Sequence, residues 1–217
     1  MKQMTRLRLL AWTLGIATSL LFLKSMKVSN DFLSHNEIRN TASMPAFGNI
    51  PNFSLTERSG RTFNSSELKG KLWIADFVFT HCAGPCPLIS GEMKRLQEQF
   101  KGRNDIRLVS FSVDPERDTP EVLSAYADRY GADPARWIFL TGEKAHVFDI
   151  IQRYFHLGVS ENIGDDLDPV AHSTKFVLVD TSGQIRGYYD SQDRRSINAM
   201  IHHTEILRKQ PDQTVAL

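Results

Sequence analysis

Residues Lys71–Phe100, KLWIADFVFTHCAGPCPLISGEMKRLQEQF, hold three signals in a row. Leu72 to Phe79 is short, β-branched, aromatic and nearly all apolar, which predicts a strand buried on both faces. Thr80-His81-Cys82-Ala83-Gly84-Pro85-Cys86-Pro87 follows and contains both cysteines of the chain. Beyond it, Ile89, Met93, Leu96 and Phe100 recur at i, i+4, i+7 and i+11, the spacing of one buried helix face. The thiols therefore fall where a strand hands over to a helix N-terminus. Unpaired N–H groups and the positive end of the helix dipole meet there and favour thiolate, the form that attacks disulfides and binds soft metals.

Three residues separate Cys82 and Cys86, one more than in the thioredoxin motif. Two thiolates so spaced can close on one metal ion or on each other. The plainer alternative is a stabilising disulfide, but so short a loop removes little entropy from the unfolded chain. Pro87 suits the first helical turn, where no N–H is needed.

The 217-residue chain has room for an export or membrane segment and one domain of roughly 165 residues. With 26 basic and 25 acidic side chains there is no charge imbalance to attract nucleic acid. Two cysteines are too few for a disulfide scaffold. Lys2, Arg6 and Arg8 precede the apolar run Leu9 to Leu23. As a helix that run covers about 22 Å, short of a hydrocarbon core near 30 Å, and snorkelling of Arg8 and Lys24 brings it close to spanning. The expected organisation is an N-terminal membrane anchor or uncleaved signal over 1–27, a polar linker over 28–45, a domain over 46–210 and a tail over 211–217. Cleavage after Ala17-Thr18-Ser19 is the rival reading; it leaves Leu20-Leu21-Phe22-Leu23 at the new terminus. The basic N-terminus predicts that the domain faces out of the cytoplasm.

The rest of the domain alternates. Phe53 to Phe63 reads as a hairpin around Arg58-Ser59-Gly60, and Ser65 or Ser66 as the cap of a short turn ending at Gly70. Ile106 to Val113 is a second strand, and Asp118 or Thr119 caps a helix with Pro120 at its first position and Gly131 at its end. Trp137 to Leu140 is a short strand, Ala145 to Phe155 a helix, and Gly158 to Ser173 a polar loop. Lys175 to Asp180 and Gln184 to Tyr189 flank Thr181-Ser182-Gly183 as a second hairpin. Ile197, Met200, Ile201, Thr204 and Leu207 mark a last helix. Strands alternating with helices, closed by a hairpin and a helix, predict an α/β, thioredoxin-like fold: a central mixed sheet flanked by helices, with an N-terminal hairpin and a single N-terminal transmembrane helix. In such a sheet the active site lies off the carboxyl ends of the strands, where the dithiol and Asp114 fall.

Seven histidines compete to complete a site with the dithiol. In thioredoxin topology the loop entering the hairpin passes over the dithiol, and here that approach is Pro169-Val170-Ala171-His172-Ser173-Thr174. His172 is thus the candidate third donor. His81 adjoins Cys82 and is a weaker one. His146 and His156 read as exposed, His35 as part of the linker, and His202-His203 diverge by about 100° on a helix and cannot share one ion. Two thiolates and an imidazole suit copper, as Cu(I) or Cu(II), whereas structural zinc wants a fourth ligand that the sequence does not offer.

These pieces resemble the Sco/SenC family: the anchor, the apolar strand into Thr80-x-Cys82-x-x-x-Cys86-Pro87, the run Ser112-Val113-Asp114-Pro115-Glu116-Arg117-Asp118-Thr119-Pro120, and His172-Ser173-Thr174 before a strand. The likeness runs over roughly 46–210. It implies a membrane-anchored thioredoxin-fold protein that binds copper through Cys82, Cys86 and His172. It further implies work on the cytochrome c oxidase subunit carrying the binuclear copper site, with the domain in the periplasm of a bacterial inner membrane. The sequence departs from the family at Ala83, where proline is frequent, and at Ala171, where aspartate is common.

Three functions fit. A copper-binding assembly factor uses all three residues. A thiol–disulfide reductase uses Cys82 as attacking and Cys86 as resolving thiol. A peroxide-reducing relative would need Thr80 and Arg117 about the cysteine. Asp114, Glu116 and Asp118 are candidates for a rim that steers a charged client, against helix capping by Asp118.

Overall fold

The computed structural model describes residues 44–82, 84–161 and 170–209. Strands β1 (Ser54–Glu57) and β2 (Thr62–Asn64) form the N-terminal hairpin, paired antiparallel. The 3-10 turn Ser65–Leu68 is entered from Asn64, not from Ser65 or Ser66, because Glu67 reaches back to the Asn64 amide at 3.0 Å. Strand β3 (Leu72–Val78) is buried at all seven positions. Helix α1 (Cys86–Gln99) begins at Cys86 itself and buries Ile89, Met93 and Leu96. Then follow β4 (Ile106–Ser112), α2 (Pro120–Tyr130) and β5 (Trp137–Thr141). Thr119 caps α2 by accepting the Val122 amide, and Gly131 closes it in the left-handed conformation at φ 66°.

The helix expected over Ala145 to Phe155 changes pitch midway. It is α-helical over α3 (Lys144–Asp149) and π-helical over Ile150–Tyr154, with Phe155 N bonded to Ile150 O at 3.2 Å. The wider turn returns Phe155 to the face of Ile150, so both are fully buried. The expected polar loop contains β6 (Val159–Glu161) and β7 (Val170–His172), which pair antiparallel as a separate two-stranded ladder. Strands β8 (Lys175–Val179) and β9 (Ile185–Asp190) form the closing hairpin, and α4 (Arg194–Arg208) ends the described chain.

The main sheet runs β2-β1-β5-β4-β3-β8-β9. The β3–β4 and β4–β5 pairs are parallel, while β1–β5, β3–β8 and β8–β9 are antiparallel. This is the mixed central sheet flanked by helices that the element order predicts. On one face Phe77, Phe111 and Phe155 pack with centroids 5.1–5.7 Å apart, sealed by the π-turn. The other face carries Trp137 and Phe139, with Tyr126 of α2 against Phe139. Rings of this size are the largest apolar contribution to such a core, roughly 2–3 kcal/mol each when buried. Among the described residues no helix is long and apolar enough to cross a membrane, and the run Leu9 to Leu23 lies outside them.

Candidate metal centre

The sequence puts Cys86 at the first position of a core helix and Cys82 on the loop before it. Both are free thiols and both are buried, Cys86 completely and Cys82 at 8% exposure. Their side chains are hydrogen-bonded to each other, so the two sulfurs already face one another. The sequence predicts lowered thiol pKa values at the helix N-terminus; Cys86 does the opposite. Burial pushes its thiol far above the usual range, against a hydrogen bond with the Phe79 backbone that pulls it down, and the charges of Cys82 and Asp76 add to the rise. Desolvation of a buried sulfur outweighs the dipole. Cys86 is therefore a protonated thiol until a metal or a disulfide replaces its proton.

Asp76 is the one acidic residue in the apolar run and points to the face with Ser110. It is fully buried, accepts a hydrogen bond from Ser110 Oγ at 2.5 Å, and leaves Oδ2 without a partner. Ser110 in turn accepts Trp137 Nε1–H at 2.8 Å. Burial raises the Asp76 carboxyl to about 7.

The acidic loop is not the open rim that its composition suggests. Asp114 and Asp118 are buried. Asp118 does not cap α2; it accepts hydrogen bonds from Thr80 and Ser112. Arg117 is paired with Asp114, and the Thr80 hydroxyl is given to Asp118, so neither is free to organise a peroxide. Glu116 alone stays on the surface, 3.0 Å from Lys144.

His172 is the last residue of β7. Three residues further on, β8 begins, and it pairs antiparallel with β3 in the register Trp73↔Val179, Ile74↔Leu178, Ala75↔Val177. Among the described residues no three His, Cys, Asp or Glu side chains form a metal-binding group. His81 is exposed with Nδ1 3.0 Å from Thr80 Oγ1. His146, His156 and His202 are exposed, and His203 is bonded to Tyr189 OH at 2.8 Å. His35 lies outside the described residues. Sequence reasoning missed the roles of Asp76 and Asp118. Asp76 does carry a signal, a charge within a strand otherwise apolar; Asp118 carries none, because it fits the pattern of an ordinary helix cap.

Comparison with known proteins agrees with this fold. The SCO1/SenC family model matches residues 42–207. A SCO1 protein homolog of Bacillus subtilis (strain 168) is 33% identical over 151 residues, covering 69% of this chain and 77% of its own. A Stutzerimonas stutzeri protein whose name describes it as copper-binding is 33% identical over 156 residues, covering 69% and 72%. The solved structure of BsSco, described as a member of the Sco family of cytochrome c oxidase assembly proteins with a disulfide switch, superposes with a TM-score of 0.65 at 30% identity. It covers 75% of this chain and 95% of that one. The fold defines a thioredoxin-like protein with two free cysteines at a strand–helix junction. The chain belongs to the SCO1/SenC family.

Proposed function

We propose that this protein is a copper-binding assembly factor for cytochrome c oxidase, with Cys82, Cys86 and His172 as ligands. The observation that carries the reading is the facing pair of buried free thiols at the end of β3. Two soft sulfurs fit copper, and the imidazole of His172 would complete a three-donor set for Cu(I) or Cu(II). The copper-binding relative and the assembly role of BsSco support copper as cargo and the oxidase subunit with the binuclear copper site as client. The same proposal takes 1–27 as an uncleaved anchor in a bacterial inner membrane, 28–45 as the linker, and the domain 46–210 in the periplasm, motivated by Leu9 to Leu23 and its basic flanks. Metal analysis of the anaerobically purified chain tests it: about one copper per chain is expected, and zinc or no metal would refute it. For topology, a reporter fused after Leu217 should be active outside the cytoplasm, and recovery of a soluble species starting near Leu20 would refute the anchor.

One observation favours a second reading, a thiol–disulfide reductase. The more accessible Cys82 is suited to attack a client disulfide, forming a mixed disulfide and releasing one client thiolate. Cys86, buried beside Cys82, resolves it once its thiol proton has passed to the released client thiolate, closing Cys82–Cys86 as the second client thiolate leaves.

A further inference from the structure

The two sulfurs are not held alike. Cys86 is fixed by the first turn of a core helix. Cys82 sits on a loop with Gly84 and Pro85, and its amide makes only a long 3.4 Å bond to Phe79 O. Whatever anchors that loop sets where the Cys82 sulfur stands.

The anchor is a carboxylate from 38 residues away. Asp118 Oδ1 accepts Thr80 Oγ1–H at 2.6 Å and Thr80 N–H at 3.2 Å, and Oδ2 accepts Ser112 Oγ–H at 2.7 Å. It is fully buried. Burying a carboxylate is costly unless hydrogen bonds compensate, and these bonds come from the ends of β3 and β4. One side chain thus ties together the exits of two strands and the entrance of α2, the three segments around the dithiol.

The network reaches one residue further. Thr80 has a single hydroxyl proton, and Asp118 takes it. The 3.0 Å contact between Thr80 Oγ1 and His81 Nδ1 must then be completed by a proton on Nδ1. That choice leaves Nε2 of His81 as the acceptor nitrogen.

We infer that Asp118 is a positioning residue for the dithiol: acting through Thr80, it fixes the loop that carries Cys82 and the tautomer of its neighbour His81. The inference rests on Cys82 and Cys86 being the functional pair, but its primary test needs no metal. The full chain has only two cysteines, so alkylation of the reduced, metal-free protein with iodoacetamide, resolved by peptide mass spectrometry, reports each thiol separately. Asp118→Asn and Thr80→Val should each raise the Cys82 alkylation rate about tenfold, as expected from losing one buried hydrogen bond that holds a local opening closed. Thr80→Ser, which keeps the hydroxyl, should behave as the unmutated chain. Nitrogen-15 NMR should show His81 as the Nδ1–H form in the unmutated chain and as a mixture in both variants. Copper(II) added to the variants should give a weaker sulfur-to-copper absorption band. Unchanged alkylation rates and an unchanged His81 tautomer in folded Asp118→Asn and Thr80→Val would overturn the inference. If Asp118→Asn does not fold, Thr80→Val decides alone, because it leaves the carboxylate with its Thr80 amide and Ser112 bonds. Faster alkylation in a protein that binds no copper would uphold the positioning role and refute the copper reading.

Discussion

The cysteine half and the histidine half of the proposed centre are built in different ways. Cys82 and Cys86 stand where a strand buried at every position meets a core helix, and Asp118 braces the approach to Cys82 through Thr80. His172 ends a strand of the small β6–β7 ladder, which is not part of the seven-stranded sheet. The soft donors are organised relative to each other by the core. The proposed third donor, His172, belongs to an element outside the main sheet. A dithiol alone suffices for disulfide exchange, whereas Cu(II), a harder ion than Cu(I), gains more from a nitrogen. The division of structure matches the division between the two functional readings.

The largest expected effect lies in the cysteine half. Cys86→Ser replaces a soft sulfur with a hydroxyl, so bound copper should be lost in both oxidation states. Metal analysis after desalting checks this, and stoichiometric copper in the variant would move the site elsewhere. Next comes the carboxylate beneath the thiols. Asp76 is an acid whose folded pKa is raised, to about 7. It is neutral and harmless at low pH. The cost of ionising it enters as pH climbs from the usual aspartate range near 4 through 7, so the protein should lose stability over that window. At about 1.4 kcal/mol per pKa step the loss is at most roughly 4 kcal/mol. Asp76→Asn removes it: urea unfolding should show the variant more stable above pH 7, with the gain vanishing below about pH 4. It should also ease ionisation of Cys86, since the Asp76 charge opposes it. A stability change equal at every pH would mean altered packing instead.

The same division governs how much is legible in the sequence. Periodicity places the β3–α1 junction nearly to the residue, because a strand buried on both faces and a helix with one apolar face leave strong patterns. Turn chemistry places both hairpins. The π-turn is hidden, since Val147, Ile151 and Phe155 at spacings of four already fit an ordinary α-helix and nothing in the pattern calls for a wider pitch. The β6–β7 ladder is hidden because three-residue strands of mixed polarity carry no usable period. Asp118 passes for a cap because Asp before Thr-Pro fits an N-cap so well; Thr119 takes that place, and the carboxylate turns inward to a partner 38 residues away. A local pattern cannot announce a contact of that range.

His172→Ala probes the weaker half directly. Copper(II) affinity should fall about a hundredfold, near 3 kcal/mol, and copper(I) affinity about tenfold or less, since the dithiol still holds the softer ion. Exchange with a small disulfide should be unchanged, because it depends on thiolate and access. Intact copper(II) affinity would remove His172 from the ligand set. Loss of simple disulfide exchange would show instead that the histidine tunes the thiols, and the reductase reading would gain.

The smallest effect belongs to the acidic turn after β4, which braces the cysteine half from one side and faces solvent on the other. Of its three carboxylates, Asp114 and Asp118 are withdrawn into the protein, which leaves Glu116 as the only one able to meet a client's field. Glu116 is itself 68% exposed and offset by Lys144 at 3.0 Å, so the pair presents little net charge at a distance. Glu116→Gln would unmask Lys144 and turn a near-neutral patch basic. Steering acts on association rate and is screened by salt. The variant should therefore bind copper normally while its association with the proposed client, the oxidase subunit's copper-bearing domain, changes by about twofold at low salt and not at all near 0.5 M. Stopped-flow association at two ionic strengths measures this. Slower association would mean that the client's facing surface is basic, faster that it is acidic. No change at low salt would make the turn purely structural, its work confined to bracing the Cys82 loop through Asp118.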